Sequence, residues 1–470
     1  MKPRTAALAV VVIALVVVSG HPVPSSDASQ SARNSGHFAS ELLVGNIPAP
    51  TDFAFAPDGR IFVATLAGDV LIVKNGMLLP QPFISISVNN WYERGLIGLA
   101  LDPNFDTTPN VYLYYTYESN PDDLEGLKTG RLIRVTADGD IALPKSEIVL
   151  LGSEVGSSAR PACGHLPSGS DCIPADGPSH LGGALGFAPD GNLFLATGDA
   201  AFGTVNPEEL MPRAQDLASL AGKLLRLDVD GNGLEDNPFY TGDPTANRSK
   251  VWAYGLRQPF RMAIQPETGL PFIGDVGSEY WDEIDVGASG RNFGWPCFEG
   301  EFPHPENREL VFCHDFYSNA NAPAQPMYSY SVPPAAAVIA GVFYEGGNYP
   351  EDLIGSLFFG DWARRSISVL KVDAEGELVA NSVKGLISEA GAPVDLELGP
   401  EGDVYYLSFQ GAGFRESETG EIRRIRFVAK ESGVWSGRAR VVAVGGMGAM
   451  TMFAVGGAFW WVRHRRPASS

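Results

Sequence analysis

The residues best placed to do chemistry begin with Ser179-His180-Leu181-Gly182-Gly183 and close with Gly198-Asp199. Between them, Leu185-Gly186-Phe187, the turn Pro189-Asp190-Gly191 and Leu193-Phe194-Leu195 alternate as two strands joined by a tight turn. Proline fixes φ, aspartate bonds its own backbone and glycine takes φ > 0, so this segment predicts a β-hairpin. A hairpin flanked by a histidine and closed by an acid can hold a proton acceptor at the mouth of a pocket, because imidazole titrates near neutrality. A histidine beside glycines also suits a structural or surface position, so its role depends on the elements around it.

Those elements repeat. Comparable turns stand at Pro57-Asp58-Gly59, Pro103-Asn104, Pro266-Glu267-Thr268-Gly269 and Pro400-Glu401-Gly402, with a looser one at Tyr349-Pro350. A further alternating strand follows each unit: Val70 to Val73, Arg131 to Val135, Lys223 to Val229, Glu283 to Val286, Ser366 to Val372 and Glu421 to Val428. Six units of short antiparallel strands predict an all-β, six-bladed β-propeller, with long loops inserted between strands and gathered on one face.

Other classes lack support. No Gly-x-Gly-x-x-Gly opens a helix after a strand, and there is no Gly-x-Ser-x-Gly or His-Glu-x-x-His, which argues against nicotinamide, serine-hydrolase and zinc-protease chemistry. The net charge of −21 would repel phosphate backbones and excludes nucleic acid as a partner. A hydrophobic content of 44% is ample for a large core, and 54 Gly with 35 Pro suit a turn-rich secreted domain.

Both chain ends predict membrane-related segments. Lys2 and Arg4 before the apolar stretch Ala6 to Val18, with Ser19-Gly20 after it, form a signal-peptide pattern over 1–20, followed by a disordered linker at 21–37. The propeller is expected over 38–430 and a juxtamembrane linker over 431–440. The apolar run 441–462 is long enough to span a bilayer, and the basic tail 463–470 is expected in the cytoplasm. This predicts a single-pass protein of the cell membrane with its propeller outside. The four cysteines of an exported domain favour disulfides; Cys163 with Cys172 and Cys297 with Cys313 is the simplest of the three connectivities. Asn247-Arg248-Ser249 is a glycosylation sequon in a eukaryotic host. Asp228-Val229-Asp230-Gly231-Asn232-Gly233 starts like an EF-hand loop, but Phe239 stands where the closing glutamate belongs, so a plain turn or a structural ion is expected there.

Several runs together resemble the soluble glucose/sorbosone dehydrogenase family, whose animal relatives include Hedgehog-interacting-protein-like ectodomains. They are Glu93 to Phe105, the His180 hairpin, Tyr254 to Pro259, Gly274-Asp275-Val276-Gly277 with Trp281 to Ile284, Asn292-Phe293-Gly294-Trp295-Pro296 and Phe359-Gly360-Asp361-Trp362. The resemblance implies a six-bladed propeller that uses pyrroloquinoline quinone (PQQ) and Ca²⁺ to oxidise an aldose at C1 to the lactone, then passes electrons to an external acceptor. It implies that His180 is the base, that Asp199 orients or charges it, and that Arg257 faces the quinone oxygen; without the resemblance Arg257 would fit an ion pair between blades. It implies Ca²⁺ on the backbone carbonyls of Gly277 and Ser278, and cofactor contacts from Arg257, Gln258, Asp361, Arg364 and Arg365.

Two positions depart from the family pattern. Gln258 stands where asparagine usually follows the arginine, and Glu345 stands near where the best-studied enzymes place a lysine, which leaves Arg364 or Arg365 to pair with a quinone carboxylate. The expected function is a membrane-tethered PQQ-dependent aldose dehydrogenase. The alternative is a cell-surface propeller that binds a protein ligand and performs no catalysis.

Overall fold

The computed structural model describes residues 36–155, 162–202, 204, 207–318, 322–409 and 418–430. The signal-peptide, transmembrane and tail segments lie outside the described residues, as does nearly all of the linker expected at 21–37; Gly36 and His37 already belong to a strand. Among the described residues no helix is long and apolar enough to cross a membrane.

Every predicted turn joins the first and second strands of a blade. Blade 1 is Pro50–Phe55, Ile61–Thr65 and Asp69–Lys74 with two short outer pieces, and blade 2 is Leu96–Leu101, Asn110–Tyr117 and Lys128–Asp138 with three. Blade 3 comprises Leu185–Phe187, Leu193–Thr197, Lys223–Leu227 and Val251–Tyr254. Blade 4 comprises Pro259–Ile264, Pro271–Asp275, Trp281–Val286 and Tyr328–Ser331; blade 5, Val338–Phe343, Ser356–Asp361, Ser366–Lys371 and Lys384–Ile387. Blade 6 is Ala392–Leu398, Val404–Phe409 and Thr419–Ala429, completed on its outer edge by Gly36–Pro48 from the start of the described chain. That last pairing closes the ring and removes an open strand edge. The strand expected to reach Val229 stops at Leu227, where Asp228 accepts the backbone N–H groups of Asp230 and Asn232 and forms the plain turn.

The middle strands are buried along their whole length, as in Ile61–Thr65, Leu193–Thr197 and Ser356–Asp361. Each sheet is covered on both faces by its neighbours, so these strands read as apolar runs rather than alternating ones. Phe62 and Ile72 of blade 1 pack with Leu113 and Ile133 of blade 2; Phe272 and Ile284 of blade 4 pack with Leu357 and Phe359 of blade 5. The cysteines pair locally, Cys163 with Cys172 and Cys297 with Cys313. The sequon amide is buried: Asn247 is 3% exposed, and its Nδ2 donates to the carbonyls of Ser170 and Ala218.

One side chain ties the inner strands together. Arg261, buried in blade 4, donates to the carbonyls of Thr51 in blade 1 and Ile97 in blade 2, and lies 3.7 Å from Asp52 and 3.5 Å from Asp395 of blade 6. Asp52 in turn accepts the N–H of Leu99, and Asp395 that of Phe53. Burial raises both carboxyls above their ordinary pKa, against the pull of Arg261. Replacing the cation with an apolar side chain strands two buried acids. Arg261→Met is therefore expected to cost about 3–5 kcal/mol of stability in urea unfolding. The loss should be larger at pH 8 than at pH 5, where the freed acids can take up protons.

Candidate active site

The loops that enter the inner strands surround a cavity of about 780 Å³. Trp91, Phe202, Phe260 and Trp362 give it apolar walls, and His180, Arg257, Gln258 and Glu93 supply polar groups.

His180 precedes the first strand of blade 3 and carries a left-handed backbone, φ 62°. Its carbonyl accepts the N–H of Ala200, which brings the two ends of the hairpin together. A Cβ at Gly198 would stand 2.1 Å from that carbonyl oxygen, so only glycine permits the approach. The imidazole Nδ1 faces Asp199 Oδ1 at 3.1 Å. A carboxylate only accepts, so the proton is assigned to Nδ1 and the Nε2 lone pair is left to act as base. Asp199 is itself fixed by the N–H of Ala201 on Oδ1 and by Trp295 Nε1 on Oδ2 at 2.7 Å.

Arg257 enters from blade 4. Its backbone N–H and that of Gln258 both donate to the Asp275 carboxylate, and its Nη1 donates to the carbonyls of Val276 and Gly277 at 2.7 Å each. The guanidinium carbon lies 5.3 Å from the Trp295 ring centroid, and the buried Nε has no hydrogen-bond partner. Two hydrogen bonds join the halves directly: Asp199 N–H donates to Arg257 O at 2.9 Å, and Gly182 N–H to the side-chain Gln258 Oε1 at 2.8 Å. The longer glutamine arm thus spans to blade 3 and steadies the glycine beside His180.

Burial, reinforced by the nearby Arg257 charge, holds the His180 pKa below the ordinary imidazole value against the pull of Asp199. Burial opposes ionisation of Asp199, but His180, Arg257 and the Ala201 N–H outweigh it and lower its pKa. The pair is a neutral imidazole beside a carboxylate, the state in which a histidine takes a proton from a hydroxyl.

The other expected residues fall elsewhere. Asp361 does not line the cavity; it takes Tyr330 Oη and the N–H groups of Ala337 and Arg364, fixing the turn that presents Trp362. Arg364 and Arg365 are also outside the lining. Arg364 donates to the carbonyls of Ser331 and Ala335 and lies 4.5 Å from the Tyr330 ring centroid. Gly277 lines the cavity and Ser278 does not; Ser278 N–H turns away to Glu299. Glu345 is exposed beyond the end of Val338–Phe343 opposite the cavity, where its charge does not face the site.

Sequence reading missed a buried acid group behind Arg257. Asp275, Glu283 and Asp285 place carboxylate oxygens within 4.8 Å of one another. Glu283 accepts the N–H of Gly300, whereas both Asp285 oxygens are buried without a hydrogen-bond partner. Burial pushes Asp275 up to about 7, and burial with repulsion from the neighbouring acids raises Glu283 and Asp285 well above the ordinary carboxylate range. The visible signal was three acids in Asp282-Glu283-Ile284-Asp285, more than the middle of a buried blade normally carries.

The fold and site define a six-bladed propeller in which a histidine and an arginine line one aromatic-walled cavity and a buried carboxylate stands behind the histidine. The profile of the Glucose / Sorbosone dehydrogenase family matches residues 47–414, and the chain belongs to that family, which places it among proteins of sugar oxidation. It is 26% identical over 382 residues to aldose sugar dehydrogenase YliI of Escherichia coli K12, covering 79% of this chain and 90% of that one. It is 25% identical over 252 residues to human Hedgehog-interacting protein, 48% of this chain and 31% of that one. Among solved structures, the soluble aldose sugar dehydrogenase of Escherichia coli superposes with a TM-score of 0.64 at 22% identity, over 84% of this chain and all of that one. The PQQ-bound aldose sugar dehydrogenase of Streptomyces coelicolor gives 0.58 at 20%, over 84% of this chain and all of that one.

Because the buried imidazole must be neutral to work, the acid limb of kcat/KM for sugar oxidation is expected below about pH 6.5. Asp199 supports the protonated form, so Asp199→Asn should move the limb to lower pH and reduce the plateau. A pH profile of both proteins checks this, and a limb that stays in place or rises would contradict the pairing.

Proposed function

We propose that this protein is a PQQ-dependent aldose dehydrogenase that oxidises the sugar at C1 to the lactone, tethered to the outer face of the cell membrane by the apolar run 441–462. The observation that carries the reading is that His180 and Arg257 line one cavity, with Asp199 buried behind the imidazole and bonded to both of them. His180 Nε2 takes the C1 hydroxyl proton, and Asp199 holds the ring and offsets the imidazolium charge. Arg257 stabilises negative charge that develops on the acceptor. PQQ, when bound, would supply the acceptor for the C1 hydride; with the hydroxyl proton on His180, the sugar loses two electrons and two protons, and an external acceptor would then take the electrons.

The residues present fit that group. Arg257 Nε is a buried donor with no acceptor of its own, and the aromatic walls suit a planar ring system. For Ca²⁺, the Gly277 carbonyl already takes Arg257 Nη1, and Ser278 lies off the cavity. Asp275, Glu283 and Asp285 offer a better donor set: hard oxygens, excess negative charge and an unpartnered carboxylate. A cation there would act on the site through Asp275, which holds the backbone of Arg257 and Gln258.

The second reading, a propeller that binds a protein ligand, draws on the similarity to Hedgehog-interacting protein and on exposed Tyr92 and Phe202 at the cavity. Titrating PQQ with Ca²⁺ into the purified protein, followed by quinone absorbance, separates the two. Saturable binding is expected; its absence from folded protein would favour the ligand-binding reading. His180→Ala should retain that binding while sugar-dependent dye reduction falls by about 10²–10⁴-fold. Retained turnover would remove His180 as the base.

The acid group gives a separate test. Its carboxyls have folded pKa values above their unfolded ones, so the stability they contribute is complete below about pH 4 and is lost as pH rises, for Asp275 through about 7. At pH 8, Ca²⁺ is expected to raise the Tm of the native protein. Asp285→Asn should start from a higher Tm without Ca²⁺ and gain less from adding it. Equal gains would place the ion elsewhere.

A further inference from the structure

The loop after the third strand of blade 4 reaches back over the site and is closed by the Cys297–Cys313 disulfide. It carries Trp295, which holds Asp199, and Glu299, which has no contact with the cavity. Glu299 is 5% exposed, and its Oε1 accepts three backbone N–H groups: Ser278 at 2.7 Å, Trp281 at 3.0 Å and Tyr280 at 3.1 Å. The turn 277–281 is therefore folded around one buried anion. Gly277 is packed so tightly within it that a Cβ would meet Trp281 O at 1.8 Å and Glu299 Oε1 at 2.6 Å.

Burial alone would favour a neutral Glu299, yet His304 and these N–H groups outweigh it and keep its pKa low. His304, 2% exposed, accepts the N–H groups of Glu306 and Asn307 on Nδ1, so its proton sits on Nε2, 3.0 Å from Glu299 Oε2. That contact is close enough for electrostatic support without the alignment of a hydrogen bond. At the other end of the turn, the carbonyls of Val276 and Gly277 hold Arg257 Nη1.

We propose that Glu299, supported by His304, is the positioning residue for Arg257: its charge shapes the 277–281 turn, and the turn's carbonyls set where the guanidinium stands. The inference rests on the dehydrogenase reading for its effect on the quinone, and on the protein alone for its effect on the turn. Glu299→Gln keeps an acceptor oxygen and removes the charge, whereas Glu299→Ala removes both. The loss should therefore grade from native to glutamine to alanine.

Two measurements on the full-length protein decide it, with thermal unfolding confirming that each variant is folded. In hydrogen exchange, the amides of Ser278, Tyr280 and Trp281 in Glu299→Gln should exchange about tenfold faster than in the native protein. In quinone titrations, Glu299→Gln should weaken PQQ by about tenfold, and the same change in an Arg257→Ala background should have little further effect. Unchanged exchange, or losses that simply add, would overturn the proposal. Failure of native protein to bind PQQ would instead strike the dehydrogenase reading and leave the exchange result to decide the role of Glu299.

Discussion

The ring depends on one buried cation. Six sheets packed side by side bury apolar faces against each other but leave the inner strands with polar backbone groups in contact with other blades. Arg261 answers that from a single position. Its fork of donors reaches carbonyls on blades 1 and 2, while its charge offsets Asp52 and Asp395. Lysine could supply the charge but not the fork. Asp282 does similar work on the other side: one oxygen takes Val338 N–H of blade 5 and the other takes Gly277 N–H at the site. Central cohesion and site geometry therefore share residues.

The site is a joint between two blades. Blade 3 supplies the histidine and its carboxylate, the turn leading into blade 4 the arginine and the glutamine, and a backbone hydrogen bond together with one to the Gln258 side chain fixes them across the boundary. The disulfide-closed loop then braces both sides, through Trp295 on Asp199 and through Glu299 on the 277–281 turn. Such a base and such a cation stay in register because neither can move without disturbing the other's backbone. The strain at His180 is retained for the same reason, since the Gly198 contact and the Ala200 hydrogen bond over-determine its position.

Burying carboxylates is costly, and this chain does it repeatedly around its polar centre. Asp199 remains ionised because a histidine and an arginine face it. Asp275, Glu283 and Asp285 lack comparable support and hold their protons to higher pH. Two buried acids thus behave in opposite ways: Glu299, on the loop, is depressed by His304 and its N–H donors, while Asp285, in blade 4, is raised by burial and a neighbouring acid. Identity of the side chain says nothing of this; the partners decide it.

The amino-acid sequence by itself determined the blades. Pro-Asp-Gly and its variants fix φ and ψ within four residues, and the flanking apolar runs can satisfy their backbone only as strands, so all six hairpins and the third strand of each blade were legible. It also contained the local disulfide pairs and the histidine–acid hairpin, because those partners lie close in the chain. What the tertiary structure decided was every pairing over longer range. By position in a motif Arg364 looked like a cofactor partner and Glu345 like a charge set against the cofactor, yet one turns to Ser331 and Ala335 and the other lies at the opposite end of its strand. Glu299 and the bridge from Gln258 to Gly182 left no local pattern, and the acids of Asp282-Glu283-Ile284-Asp285 gave no sign of their distant neighbour Asp275. Their meaning comes from which loops meet when the ring closes, and that is set by the packing of whole blades rather than by the spacing of neighbours.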